Sequence, residues 1–220
     1  MSQFKSHIWE WKGFQISWTC NKPSHQSNIS TLLIHGFGAC KEHWRFNQSI
    51  LGSIAPCYAI DLIGFGASSQ PIATLKGEEK GQNHFDYCFE NWSELIQEFC
   101  NEVIKTPVLL IGNSIGGVIA LKAAQLLKKN CHSIVLIDCA QRTMDDKRLA
   151  EQPFISQLMR PLLKNLVRQR WLSQTIFNSV AQPFFIKSIL QVAYPTKNNL
   201  NESLIEMLYR PTQRIGASEG

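Results

Sequence analysis

No run in this 220-residue chain approaches 18 consecutive apolar residues, so the sequence predicts no membrane-spanning helix. The opening MSQFKSHIWEWKGF lacks both the apolar core of a secretory signal and the Arg-rich pattern of a transit peptide, and no cleaved leader is expected. No C-x-x-C pair occurs, and the seven cysteines are an odd number. That disfavours a disulfide framework or a zinc site and favours free thiols in a reducing, cytoplasmic setting. Internal repeats and low-complexity tracts are missing too. Acidic residues are absent from Gln152 to Asn201, where Arg160, Lys164, Arg168, Arg170, Lys187 and Lys197 stand. The first 140 residues balance 11 Lys+Arg against 11 Asp+Glu, so the net charge of +5 comes wholly from residues 141–220. Such a segment is either a solvated face or one drawn to anionic lipid or an acidic ligand, and peripheral membrane contact is one expectation. Histidine is the last shortage: none follows His132.

With 44% hydrophobic and 18% charged residues, the remainder reads as an ordinary globular protein with one good core, able to carry an insertion. His7 to Trp11 and Phe14 to Cys20 are aromatic-rich strands joined at Lys12-Gly13, a hairpin pattern. Further strands are predicted at Thr31 to Ile34, Cys57 to Ile60, Val108 to Ile111 and Ser133 to Asp138. Helices are predicted from about Glu42 to Leu51, from Phe85 to Lys105 and from Ile115 to Leu127, with Pro71 to Asn83 a polar excursion. Strands alternating with helices, with wholly apolar strand cores, predict an α/β fold with a mostly parallel sheet of about six strands covered by helices. From Gln141 the character changes. Phe154 to Leu172, Ile176 to Val192 and Leu200 to Tyr209 are helix-like and punctuated by prolines, and residues 211–220 read as a loop-like tail.

Three motifs fall at the carboxyl ends of strands, where parallel sheets gather their reactive groups. Gly112-Asn113-Ser114-Ile115-Gly116 fits the pattern G-x-S-x-G between a buried strand and a helix. A turn sharp enough to expose a serine there strains its backbone and leaves no room for bulk two residues either side. His35-Gly36-Phe37-Gly38 follows the third strand, and Asp61-Leu62-Ile63-Gly64-Phe65-Gly66-Ala67-Ser68 the fourth.

With these motifs the chain resembles the α/β-hydrolase family over nearly its whole length, corresponding to roughly the first three quarters of a member. The Gly112–Gly117 elbow is similar to those of pheophytinase-like hydrolases and of carbon–carbon-bond hydrolases of aromatic ring cleavage. The resemblance implies Ser114 as nucleophile, the backbone N–H groups of Phe37 and Ile115 as oxyanion hole, and His35 as a positioning residue under that loop. It implies a structural Asp61, its carboxylate bonded to loop N–H groups. Asp138, at the end of the sixth strand, is the candidate acid. Residues 141–210 resemble a helical cap, with Trp171 and Phe177 as candidate substrate contacts beside Phe154, Phe184 and Phe185; each of these aromatics is equally well explained as packing within the cap. The implied function is a serine hydrolase acting on an apolar ester through an acyl-enzyme, without metal or organic cofactor.

The pattern also breaks. The family orders its triad Ser, then Asp or Glu, then His. His132 is expected before the sixth strand, at the wrong end of the sheet, and nothing in the spacing favours His43 or His84 as base. The last two strands of the family fold are missing, which leaves the sixth strand as an exposed apolar edge. Truncation, completion by another chain, and a non-catalytic ligand-binding remnant are the alternatives. The structural reading of the cysteine beside Asp138, Cys139, is a small buried filler.

Overall fold

The computed structural model describes residues 4–74, 78–79, 81, 83–139, 170–193 and 201–219. All of residues 141–169, Phe154 among them, lie outside these, as does the side chain of Trp171. The chain divides into two compact units, residues 1–140 with 206–220, and residues 141–205.

The first unit is built on a six-stranded sheet. Strands β1 (Ser6–Trp11) and β2 (Phe14–Asn21) form an antiparallel hairpin in which Trp11 faces Phe14 across the turn. Lys12 and Gly13 both take positive φ, 49° and 82°, the geometry of a two-residue turn that follows the strand twist. Then come β3 (Ser30–Ile34), a turn of 3-10 helix (Lys41–Trp44), α1 (Arg45–Leu51) and β4 (Cys57–Ile60). Two short strands, β5 (Ile72–Ala73) and β6 (His84–Phe85), pair with each other in parallel. Helix α2 (Phe89–Phe99) runs into a π-helical turn (Cys100–Ile104). Strand β7 (Val108–Asn113), helix α3 (Ile115–Leu127), a 3-10 turn (Lys128–Asn130) and β8 (Cys131–Ile137) follow.

The strand order is β1-β2-β4-β3-β7-β8, with β2 antiparallel to β4 and β4, β3, β7 and β8 parallel. The predicted α/β fold is therefore present, with six strands in the main sheet. Alternation along the central strands sorts the two faces. Leu32, Ile34, Tyr58, Ile60 and Leu110 pack into the large core that contains Leu95, Ile96 and Phe99 of α2. Leu33, Cys57, Ala59 and Ile111 pack on the other face with Trp44. A sheet buried on both faces is what wholly apolar strands require.

Several boundaries differ from the sequence prediction. The helix expected from Glu42 begins as a 3-10 turn and becomes α-helical only at Arg45. The one expected from Phe85 begins at Phe89, because Phe85 sits in β6, buried against Trp11, Phe14 and Tyr87. Ile72–Ala73 forms β5 inside the expected polar excursion. His132 lies within β8, not before it, although still toward the amino end. Among the described residues β8 pairs only with β7, and Val135, Leu136 and Ile137 are exposed.

In the second unit, α4 (Arg170–Val180) and α5 (Pro183–Ala193) divide the segment expected to be helical from Ile176 to Val192. Pro183 opens α5, since a proline fits a first helical turn and breaks an interior one. Helix α6 (Glu202–Thr212) continues through Pro211, where a loop-like tail was expected to begin. Within the first unit, the segment after it is fastened to the loop following β4. Arg214 Nη1 donates to the carbonyls of Gly66 and Ser68 at 2.9 and 2.8 Å, and Gln70 Nε2 donates to that of Pro211. No described helix is long and apolar enough to cross a membrane.

Candidate active site

The strand order fixes where a site can form. From β3 the chain crosses to β4 on one side, and from β7 to β8 on the other. The loops leaving the carboxyl ends of the neighbouring strands β3 and β7 thus diverge and open a crevice. His35-Gly36-Phe37-Gly38 leaves β3 there and Ser114 leaves β7.

Ser114 has φ 53° and ψ −121°, a strained conformation for any residue but glycine. The glycines around it are required by contact distance. A Cβ on Gly112 would lie 2.2 Å from the carbonyl oxygen of Gly116. One on Gly116 would lie 2.5 Å from the carbonyl oxygens of both Ile34 and His35, so α3 begins directly against the end of β3. The Ser114 N–H donates to Ile137 O at 3.0 Å and its carbonyl accepts from Gly117 N–H, which fixes the turn between β7 and α3 against the end of β8. The Ser114 side chain makes no capping hydrogen bond to α3, and among the described residues Oγ is unengaged. It stands at the positive end of a 13-residue helix.

The loop after β3 lies against this turn. A Cβ on Gly36 would come within 3.0 Å of Asn113 Oδ1 and 3.1 Å of Ser114 Cβ. Phe37 is 69% exposed and rests edge-on against Phe65. His35 is buried, and both ring nitrogens are engaged. Nε2 accepts the Leu62 N–H at 3.0 Å, so Nδ1 carries the proton and donates to Gly36 O at 2.7 Å. Burial lowers its pKa, outweighing the nearby Asp61 carboxylate, and keeps the ring neutral. A histidine so committed ties the β3 loop to the β4 loop and has no free nitrogen for Ser114.

Asp61 anchors the same two loops. Its carboxylate is wholly buried and accepts the Lys41 N–H at 2.6 Å, the Ala67 N–H at 2.9 Å and the Lys41 ammonium at 2.8 Å. Gly66, at φ 55°, passes so close that a Cβ there would sit 2.3 Å from the carboxylate. Lys41 Nζ also pairs with Glu42 at 2.9 Å. Burial opposes the charge on Lys41, but the two carboxylates outweigh it and raise its pKa; Lys41 in turn holds Glu42 low against the same opposition. Cys40, Glu42 and Asp61 could be taken for metal ligands, with donor atoms all within 4.8 Å of one another. The Lys41 ammonium already supplies the cation that this group needs.

Lys41 is the residue that sequence reasoning missed. An isolated lysine three residues beyond Gly38 carries no signal of burial, since long-range pairing with Asp61 is visible only in the fold. Asp138 is exposed, one residue beyond β8 and at φ 43°, and among the described residues no histidine reaches its carboxylate. His132 is exposed and bonded to Ser133 Oγ. His43 is half-buried, with Nδ1 unpaired among the described residues. Phe177 is half-buried in α4, and Trp171 belongs to the same helix.

With this geometry in place, comparison with known proteins identifies the class. The family model for the alpha/beta hydrolase fold matches residues 32–189, and the chain belongs to that family. A pig relative, 1-acylglycerol-3-phosphate O-acyltransferase ABHD5, is 30% identical over 122 residues, 55% of this chain and 33% of the relative. A mouse (lyso)-N-acylphosphatidylethanolamine lipase is 28% identical over the same shares of each chain. The chain thus spans about a third of the length of the curated relatives it matches. Among solved structures, Cfl2 from Burkholderia cenocepacia aligns with a TM-score of 0.74 at 14% identity, over 97% of this chain and 67% of its own. That likeness concerns the fold.

Proposed function

We propose that this chain is a serine hydrolase acting on an acyl ester with a long apolar arm. The observation that carries the reading is Ser114, held at positive φ on a strand-to-helix turn with its hydroxyl free of capping. Attack of Oγ on the ester carbonyl gives a tetrahedral oxyanion, and the N–H groups of Phe37 and Ile115 are its assigned donors. Collapse expels the alcohol and leaves an acyl-enzyme, which water hydrolyses to regenerate the serine. Gly36 beside Ser114 lets the substrate approach the backbone, and the His35, Asp61 and Lys41 bonds hold the donor loop in place before substrate arrives. The acyl-glycerophosphate and lysophospholipid named for the relatives support a lipid ester over a small polar one. Asp138 is the assigned acid of this reading.

A second reading has its own observation. Among the described residues no histidine side chain is hydrogen-bonded to Ser114 or Asp138, and a serine hydroxyl without a base is a weak nucleophile. A site of this kind binds an acyl ester without turning it over. Turnover of p-nitrophenyl esters of increasing chain length separates the two. Hydrolysis that improves with chain length and disappears in Ser114→Ala supports the enzyme; saturable ester binding with no release of p-nitrophenol supports the binding protein.

A further inference from the structure

Helix α5 presents apolar side chains to solvent. Phe184 is 75% exposed, Ile189 59% and Phe185 47%, while Leu190 and Ala181 are buried within the same unit. At helical spacing Phe184, Phe185 and Ile189 share one face, since they fall within 140° of arc at 100° per residue, with Ser188 between them. Leu190 and the half-buried Ile186 point the other way. Val180, at the end of α4, is also exposed. The two phenylalanine rings lie edge to face, 5.9 Å apart, and so stand as one protruding ridge. Lys187 is exposed on the flank of this face.

Charge decides what such a face meets. Lys187 sits inside the 50-residue stretch from Gln152 to Asn201 that has six basic residues and no acid. A second copy docking there would bring two basic segments together, with no carboxylate from either to offset them. An anionic bilayer offers the complement: acyl chains for the phenylalanines and phosphate or carboxylate headgroups for Lys187. We propose that the α5 face, Phe184, Phe185 and Ile189 flanked by Lys187, is a docking surface for an anionic phospholipid membrane. The rings enter the headgroup–acyl boundary while the basic segment supplies the longer-range attraction. Membrane contact then depends on two separable contributions, apolar insertion and charge. This inference is independent of whether Ser114 turns over an ester.

The test is co-sedimentation of the full chain with phosphatidylcholine vesicles made with and without phosphatidylserine, at low and high salt. The expected result is binding only when phosphatidylserine is present, weakened by salt. The double variant Phe184→Glu with Phe185→Glu should lower the vesicle partition coefficient by about tenfold or more. Lys187→Glu should reduce it less and blunt the salt dependence. All these side chains are exposed, so circular dichroism of the variants should match the parent. Absence of binding to phosphatidylserine vesicles would overturn the proposal, as would equal binding by the folded double variant. A concentration-dependent dimer in the absence of lipid, abolished by the double variant, would assign the face to a second copy and overturn it as well.

Discussion

The carboxylate of Asp61 accepts both the backbone N–H and the side-chain ammonium of Lys41, at 2.6 and 2.8 Å, in a place from which solvent is excluded. The pair joins the start of the loop after β4 to the far end of the loop after β3. Removing one partner leaves the other charge buried and uncompensated, which costs far more than an exposed pair contributes. Lys41→Met should therefore lower the unfolding free energy by about 3–5 kcal/mol in urea titrations. A loss no larger than that of an exposed lysine would show that the ammonium is not confined as described.

Acid should destabilise the first unit through its histidines. Burial holds His43 well below its ordinary range, at about 4, and lowers His35 as well. Both are neutral in the fold, and the unfolded chain takes up their protons first as pH falls below about 6.5. The stability associated with the neutral forms is present above that pH and is lost as pH falls toward 4, by about 3 kcal/mol for His43 at full loss. Thermal unfolding of His43→Gln should depend less on pH across this window than the parent. Parallel profiles would contradict the assignment.

The elbow glycines admit no side chain. Gly116→Ala places a methyl 2.5 Å from two carbonyl oxygens of the β3 end, and Gly112→Ala places one 2.2 Å from the start of α3. Both clashes are with backbone, which cannot swing aside as a flexible side chain does. Each variant should lose about 3 kcal/mol or more, or fail to accumulate as folded protein. Gly38→Ala meets nothing within 4 Å and suffers only from its φ of 65°, so it should cost about 1 kcal/mol. Equal losses at the three positions in a denaturation series would contradict the packing described.

Ser114 stores strain that a glycine would release. Its φ of 53° with ψ −121° is unfavourable for a side-chain-bearing residue, and its hydroxyl returns nothing through capping. Ser114→Gly should raise stability by about 1 kcal/mol, the relief of strain exceeding the added freedom of the unfolded chain. A drop in melting temperature would mean that the serine is held by contacts outside those described.

Much of this was legible in the sequence, and for identifiable reasons. Thr31–Ile34, Cys57–Ile60 and Val108–Ile111 are short and wholly apolar, and such runs have few structural homes besides a buried parallel strand. The elbow was legible because its glycines are fixed in sequence by a local steric demand. What escaped was tertiary. Phe85 has helical spacing with its successors, yet its ring packs with Trp11 and Phe14 across the hairpin, and that burial draws it into β6. Lys41 reads as a surface residue because its partner lies 20 residues away. The bond between Arg214 and the Gly66 carbonyl spans 148 residues and leaves no periodic trace.

The most direct test of the account is the reactivity of Ser114 itself. Intact-protein mass spectrometry after incubation with a fluorophosphonate should show one covalent adduct, mapped by peptide sequencing to Ser114 and absent from Ser114→Ala. A folded parent protein that takes up no adduct, or one labelled as fully in Ser114→Ala, would contradict the claim that this elbow presents a working nucleophile.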